Sequence, residues 1–161
     1  MHDPSMATAA LLDKADRLCA RRGAKLTDLR RQVLELILES PAPQGAYDLL
    51  ERLRTSRGPA APPTVYRALD FLLDQKLIHR VERLSAFVAC IEDHDHGAQF
   101  LICTQCKQVT EVDDHAVAHA LQAAASRAGF TLARATIEIE GLCAACISPA
   151  ASGPASSTAA R

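Results

Sequence analysis

Four of the six cysteines fall in two C-x-x-C pairs, Cys103/Cys106 and Cys143/Cys146. Each pair presents two sulfurs at the separation zinc takes from thiolates, and four thiolates close the tetrahedron of a structural site. Residues 107–142 separate the pairs, more chain than a zinc ribbon carries, so intervening elements must bring the second pair back beside the first. A redox dithiol of the thioredoxin kind belongs at a helix N-terminus, whereas the first pair lies between two strand-like segments. Structural zinc contributes on the order of 10–16 kcal/mol in small domains, comparable with the roughly 5–15 kcal/mol that keeps a domain folded. The second half of the chain is therefore expected to need its metal.

A second constellation is scattered: His79 and Cys90, then His94 and His96, then Glu111. One thiolate, two imidazoles and one carboxylate would give zinc a formally neutral four-ligand site, and the thiolate favours zinc over the harder ferrous or manganous ions. Any one of these histidines alone reads as a surface residue; their distribution across a domain junction points to metal binding. His115 and His119, four residues apart, offer either a further metal pair or a solvated helix face.

Composition sets the setting for these sites. The chain has 161 residues, 48% of them hydrophobic, enough for one domain or two small ones. No run approaches the roughly 18 apolar residues of a membrane helix, and the first residues mix acids with bases where a signal peptide would be apolar. A cytoplasmic protein without membrane association is expected, and in a reducing compartment paired cysteines read as metal ligands. The net charge of −1 conceals an asymmetry: residues 1–90 hold 14 Lys/Arg against 11 Asp/Glu, and residues 91–161 hold 4 against 8. A polyanion should meet the first half.

The elements that must position these groups follow from periodicity. Leu11, Leu12, Ala15, Leu18 and Cys19 recur at helical spacing up to Gly23, and Leu29, Val33, Leu34, Ile37 and Leu38 form a second stripe with Thr27 as the expected N-cap and Pro41 beyond its end. A third helix runs from near Gly45 to Gly58. The segment from Gly58 to Pro63 turns into a fourth helix with proline in its first positions, where Val65, Ala68, Leu69 and Leu72 face a core. Leu77–Glu82 and Ala86–Ile91 alternate as strands around Arg83-Leu84-Ser85. Helices followed by a hairpin are the layout of a winged helix, a helix-turn-helix variant.

After the EDHDHGA linker, strands at Phe100–Cys103 and Val109–Val112, a helix at Ala116–Ala128 and a strand at Thr131–Gly141 make a small α+β unit. The expected fold is α+β: a winged-helix DNA-binding domain at 1–91, a hinge at 92–98, an α+β dimerisation domain at 99–147 with the four-cysteine site, and a disordered Pro/Gly/Ser/Ala-rich tail at 148–161.

Helix-turn-helix proteins place the second helix of the motif in the major groove, where an arginine can read guanine through two hydrogen bonds. At the start of the fourth helix Thr64, Tyr66 and Arg67 point outward. Arg67 is the base-reading candidate, with Tyr66 or Tyr47 for a thymine methyl or a phosphate. Lys25, Thr27, Arg30 and Arg31 are backbone-contact candidates, although basic residues on a helix also serve as a solvated face.

These residues form a pattern that resembles the ferric-uptake-regulator family, in particular its zinc-sensing branch. The match runs from about Leu11 to Cys146 and is carried by L-T-D-L-R at 26–30, A-Y-D-L-L at 46–50, P-P-T-V-Y-R-A-L-D-F-L at 62–72, H-D-H at 94–96, C-T-Q-C at 103–106 and G-L-C-A-A-C at 141–146. The resemblance implies a homodimer, a four-cysteine structural zinc and an inter-domain regulatory zinc, two ions per protomer. By position the regulatory ligands are His79, Cys90, His96 and Glu111, with His94 as a possible addition. Two departures stand out. A further metal site of many relatives would use a glutamate and a histidine where this chain has Ala118 and Ala135, and Asp28 replaces a proline in the first turn of a helix, where an acid suits the dipole.

The function so implied is a zinc-dependent repressor that grips a pseudo-palindromic double-stranded operator and controls zinc uptake genes. The alternatives are a sibling sensor of iron, manganese or peroxide with the same fold, and, in another class, a zinc hydrolase, which would need an open position on the metal that four protein ligands do not leave.

Overall fold

The structure, a computed structural model of the chain, describes residues 4–57, 62–91, 97–133 and 135–147. Four helices open it: α1 (Pro4–Arg21), α2 (Asp28–Leu38), α3 (Ala46–Arg57) and α4 (Pro62–Asp74). Their apolar stripes close one core. In α4 the expected Val65, Ala68, Leu69 and Leu72 are all buried, and they join Val33, Leu34 and Ile37 of α2 and Leu49 and Leu53 of α3. Gly23 ends the first helix with φ +69°, a conformation glycine adopts without a Cβ penalty. Thr27 occupies the N-cap position of α2 with extended backbone, but its side chain makes no capping hydrogen bond, so the acid in the first turn, Asp28, is what complements the helix dipole there.

A three-stranded sheet follows, ordered β1 (Gln44–Gly45), β3 (Ala86–Ala89), β2 (Ile78–Val81), all antiparallel. The two wing strands are shorter than their alternation suggested, because a single 3₁₀ turn at Glu82–Leu84 and a left-handed Ser85 (φ 48°) join them. The short β1 has no sequence signature: two residues after Pro43 become a strand only because β3 supplies hydrogen-bonding partners.

The C-terminal domain is a second sheet, ordered β5 (Val109–Val112), β4 (Ala98–Cys103), β6 (Thr136–Gly141), with α5 (His115–Arg127) as the crossover and a short α6 (Ala144–Ile147) after it. β4 pairs antiparallel with β5 across a tight turn and parallel with β6, as a helical crossover requires. Asp114 caps α5 by accepting from the Ala116 N–H at 2.8 Å. The strand expected over 131–141 begins only at Thr136, since the chain must first return from the far end of α5. β4 begins at Ala98, inside the span read as hinge; the rest of that hinge, 92–96, and the tail read as disordered lie outside the described residues. No described helix is long and apolar enough to cross a membrane.

The two domains share a second core. Val81 of the wing packs with Ala98, Phe100 and Ile102 of β4, with Leu84, Val88 and Val109 around them. Phe100 and Val81 are fully buried, and each contributes about 1.5–3 kcal/mol by leaving water. The wing thus lies across the C-terminal sheet.

Candidate metal centres

The parallel pairing of β4 with β6 solves the spacing problem of the cysteines. Cys103 ends β4 opposite Gly141, so the chain leaving β6 delivers Cys143 beside it. Thr104 N–H donates to the Gly141 carbonyl at 2.8 Å and locks the junction. Lys107 takes φ +62° to close the turn behind Cys106, and the first turn of α6 places Cys146 back over Cys143. The four sulfurs lie within 4.8 Å of one another. Cys106 Sγ and Cys143 Sγ are 3.7 Å apart, and a tetrahedron of thiolates around zinc demands about 3.8 Å.

The electrostatics of the cluster are those of a cation site. Backbone N–H groups of Cys106 and Cys143 lower the Cys103 thiol to about 6, while hydrogen bonding to Cys143 and desolvation push Cys146 up to about 12. Cys103 thus ionises readily while Cys146 resists, and a bound dication would favour the thiolate form of the whole set.

The second centre spans the domain interface. His79 projects from β2, Cys90 follows β3 with its N–H donating to the Leu77 carbonyl at 3.0 Å, and Glu111 projects from β5. Glu111 Oε1 stands 3.4 Å from Cys90 Sγ and 3.6 Å from His79 Nε2. Ligands of these types on one tetrahedral zinc would be about 3.4–3.6 Å apart, so the three side chains fit. His94 and His96 fall outside the described residues. Among the described residues these are the two groupings of three or more metal-capable side chains; exposed His115 and His119 belong to neither.

On the expected nucleic-acid face, Thr64, Tyr66 and Arg67 at the start of α4 are exposed, as are Tyr47 on α3 and Lys25 and Thr27 before α2. Arg30 and Arg31 have protein partners. The Arg30 guanidinium lies 3.6 Å over the Phe71 ring and donates to the Lys25 carbonyl at 2.7 Å, while Arg31 pairs with Asp13 at 2.9 Å. Arg30 therefore braces α4 against the turn before α2. Sequence reasoning missed Phe100, Glu138 and Glu140 as groups that meet the wing: the alternation of T-I-E-I-E-G shows that the acids share a face, and nothing local shows what that face meets.

The family model for the ferric uptake regulator family matches residues 21–140. The chain is 41% identical over 142 residues to the zinc uptake regulation protein of Escherichia coli K12, covering 87% of this chain and 83% of that protein. A zinc uptake regulator solved in complex with zinc and DNA superposes with a TM-score of 0.82 at 41% identity, over 87% of this chain and 95% of the other. Holo XcZur gives 0.78 at 41% identity, over 86% and 97%, whereas apo XcZur gives 0.51 at 40% identity, over 88% and 98%. At nearly equal identity, the chain is more similar in arrangement to the holo than to the apo structure.

Proposed function

The chain belongs to the ferric uptake regulator family, and from that membership we propose that it is a zinc-dependent transcriptional repressor that, as a homodimer, binds a pseudo-palindromic operator and controls zinc uptake genes. The observation that carries the reading is the convergence of His79, Cys90 and Glu111 from both sides of the domain interface. Two zinc ions per protomer are proposed, one on the four cysteines and one on His79, Cys90, Glu111 and His96. When bound at the second site, zinc supplies the charge that draws these groups together. The chain's own residues do the rest: β2 and β3 hold His79 and Cys90 at the base of the wing, and Glu111 on β5 fixes where that base sits.

With the wing in place, α4 of each protomer presents Thr64, Tyr66 and Arg67 to the major groove. A second copy is supported by the sheet face opposite the wing, where register partners Leu101 and Ile139, with Leu142, are 41%, 48% and 49% exposed, and by β6, which is an edge strand. Affinity for zinc and affinity for operator are then coupled through the closed arrangement. Operator binding of the Cys90→Ser protein, titrated at buffered free zinc, tests the reading: zinc-dependent binding should be lost, and wild-type behaviour would overturn it. Cys103→Ser should instead impair folding or pairing.

A further inference from the structure

One row of the C-terminal sheet faces the wing with three residues side by side. Phe100 on β4 is in register with Glu111 on β5 and with Glu138 on β6. Glu111 meets the base of the wing at His79 and Cys90, and Phe100 packs beneath its middle in the shared core. Glu138 meets the tip: its carboxylate accepts from the Glu82 N–H at 2.6 Å and from the Arg83 N–H at 3.0 Å. Two residues along the same face of β6, Glu140 accepts from the Arg83 guanidinium at 2.6 Å.

The N–H groups at the start of the 3₁₀ turn have no partner within the turn, and the N-cap residue, Val81, has no side chain to offer them. Glu138 supplies that cap from the other domain as a half-buried anion. The two contacts differ in weight. Exposed ion pairs such as Arg83–Glu140 contribute little, whereas a carboxylate held by two backbone donors makes charge-assisted bonds roughly twice as strong as neutral ones.

We propose that Glu138 is a positioning residue that clasps the tip of the wing to β6 and thereby holds His79 and Cys90 opposite Glu111, raising the affinity of the inter-domain site for zinc without touching the ion. The proposal rests on the regulatory-zinc reading above. A site whose ligands come from two domains binds in proportion to the fraction of molecules in which those domains are docked, so loss of the clasp appears as loss of zinc affinity. The shared core of Val81, Leu84 and Val88 against β4 already docks the wing, but apolar packing is not directional, and the clasp at the tip together with the ligands at the base sets the angle at which the wing lies.

The test uses the full-length protein with its four-cysteine site loaded, titrated with zinc against a competing chelator, together with amide hydrogen exchange at residues 82 and 83. Glu138→Gln should weaken the inter-domain site by roughly 5- to 20-fold and expose both amides to exchange, with four-cysteine zinc retained. Glu82→Pro approaches the same bond from the wing: it removes one donor at the first position of the turn, where proline is tolerated, and Val81 already has the extended backbone (φ −94°, ψ 103°) that a following proline needs. It should weaken zinc binding several-fold, whereas Glu82→Ala, which keeps the N–H, should not. Equal affinities for Glu82→Pro and Glu82→Ala, or an unchanged Glu138→Gln, would overturn the clasp and leave the regulatory site standing. A Cys90→Ser protein with wild-type zinc affinity would overturn that site and the clasp with it.

Discussion

The His79 imidazole meets the Phe100 ring edge-on, with centroids 5.7 Å apart and planes at 64°. A candidate ligand on one domain is thus oriented by the buried aromatic of the other. Phe100→Leu keeps most of the apolar volume and removes the ring contact, so stability should fall by less than about 1.5 kcal/mol while zinc affinity at the inter-domain site falls measurably. Phe100→Ala should cost about 3–5 kcal/mol in thermal or denaturant unfolding.

Arg30 and Arg67 separate bracing from reading. Arg67→Ala should reduce operator affinity by about 1–3 kcal/mol and relax the preference at one base pair. Arg30→Ala removes the stack on Phe71, so its main effect should be a lower unfolding temperature, with a loss of DNA affinity that does not depend on the base sequence. A sequence-specific loss in Arg30→Ala would reverse the assignment.

Acid should act first on the cysteine cluster. Cys103 is lowered from an ordinary value of 9.0 to about 6, so its contribution as a thiolate is complete above 9 and is lost as pH falls through about 6. In metal-free protein, alkylation of Cys103 followed by mass spectrometry should rise with pH about a midpoint near 6, whereas Cys146, raised to about 12, should react slowly throughout the neutral range. Protons should compete with zinc for the cluster over the same acid range.

Gly97 stands where the chain re-enters the C-terminal sheet. A Cβ there would lie 2.2 Å from the Ala135 carbonyl oxygen and 2.9 Å from its carbon, both backbone atoms that cannot step aside. Gly97→Ala should therefore force β4 and the segment before β6 apart, costing on the order of 1–3 kcal/mol and weakening the inter-domain zinc site. Full stability with unchanged zinc binding would show that the strands can separate there freely.

The helices and the cysteine centre were legible because their signals are local. The spacing of Val65, Ala68, Leu69 and Leu72 is enough to define a buried face, and two C-x-x-C turns define a donor set before any fold is known. Features made by distant partners were not legible. Gln44–Gly45 becomes a strand through Phe87 and Ala86, and Thr27 was assigned a cap that its side chain does not make. The partners of Glu138 and Glu140 were not legible either, because Glu82 and Arg83 lie more than fifty positions away in the chain.

The strand β4 begins beside the interdomain connection, carries Phe100 beneath the wing at its middle and ends in Cys103. About 20 Å of extended backbone thus places the two candidate metal centres, the one proposed for folding and the one proposed for switching, in mechanical series. A softer, larger ion that filled the four-cysteine site with longer bonds would displace one end of that strut, and the error would be transmitted to the ring on which His79 rests. Occupation of the first site by the wrong metal should then corrupt the sensing of the right one at the second.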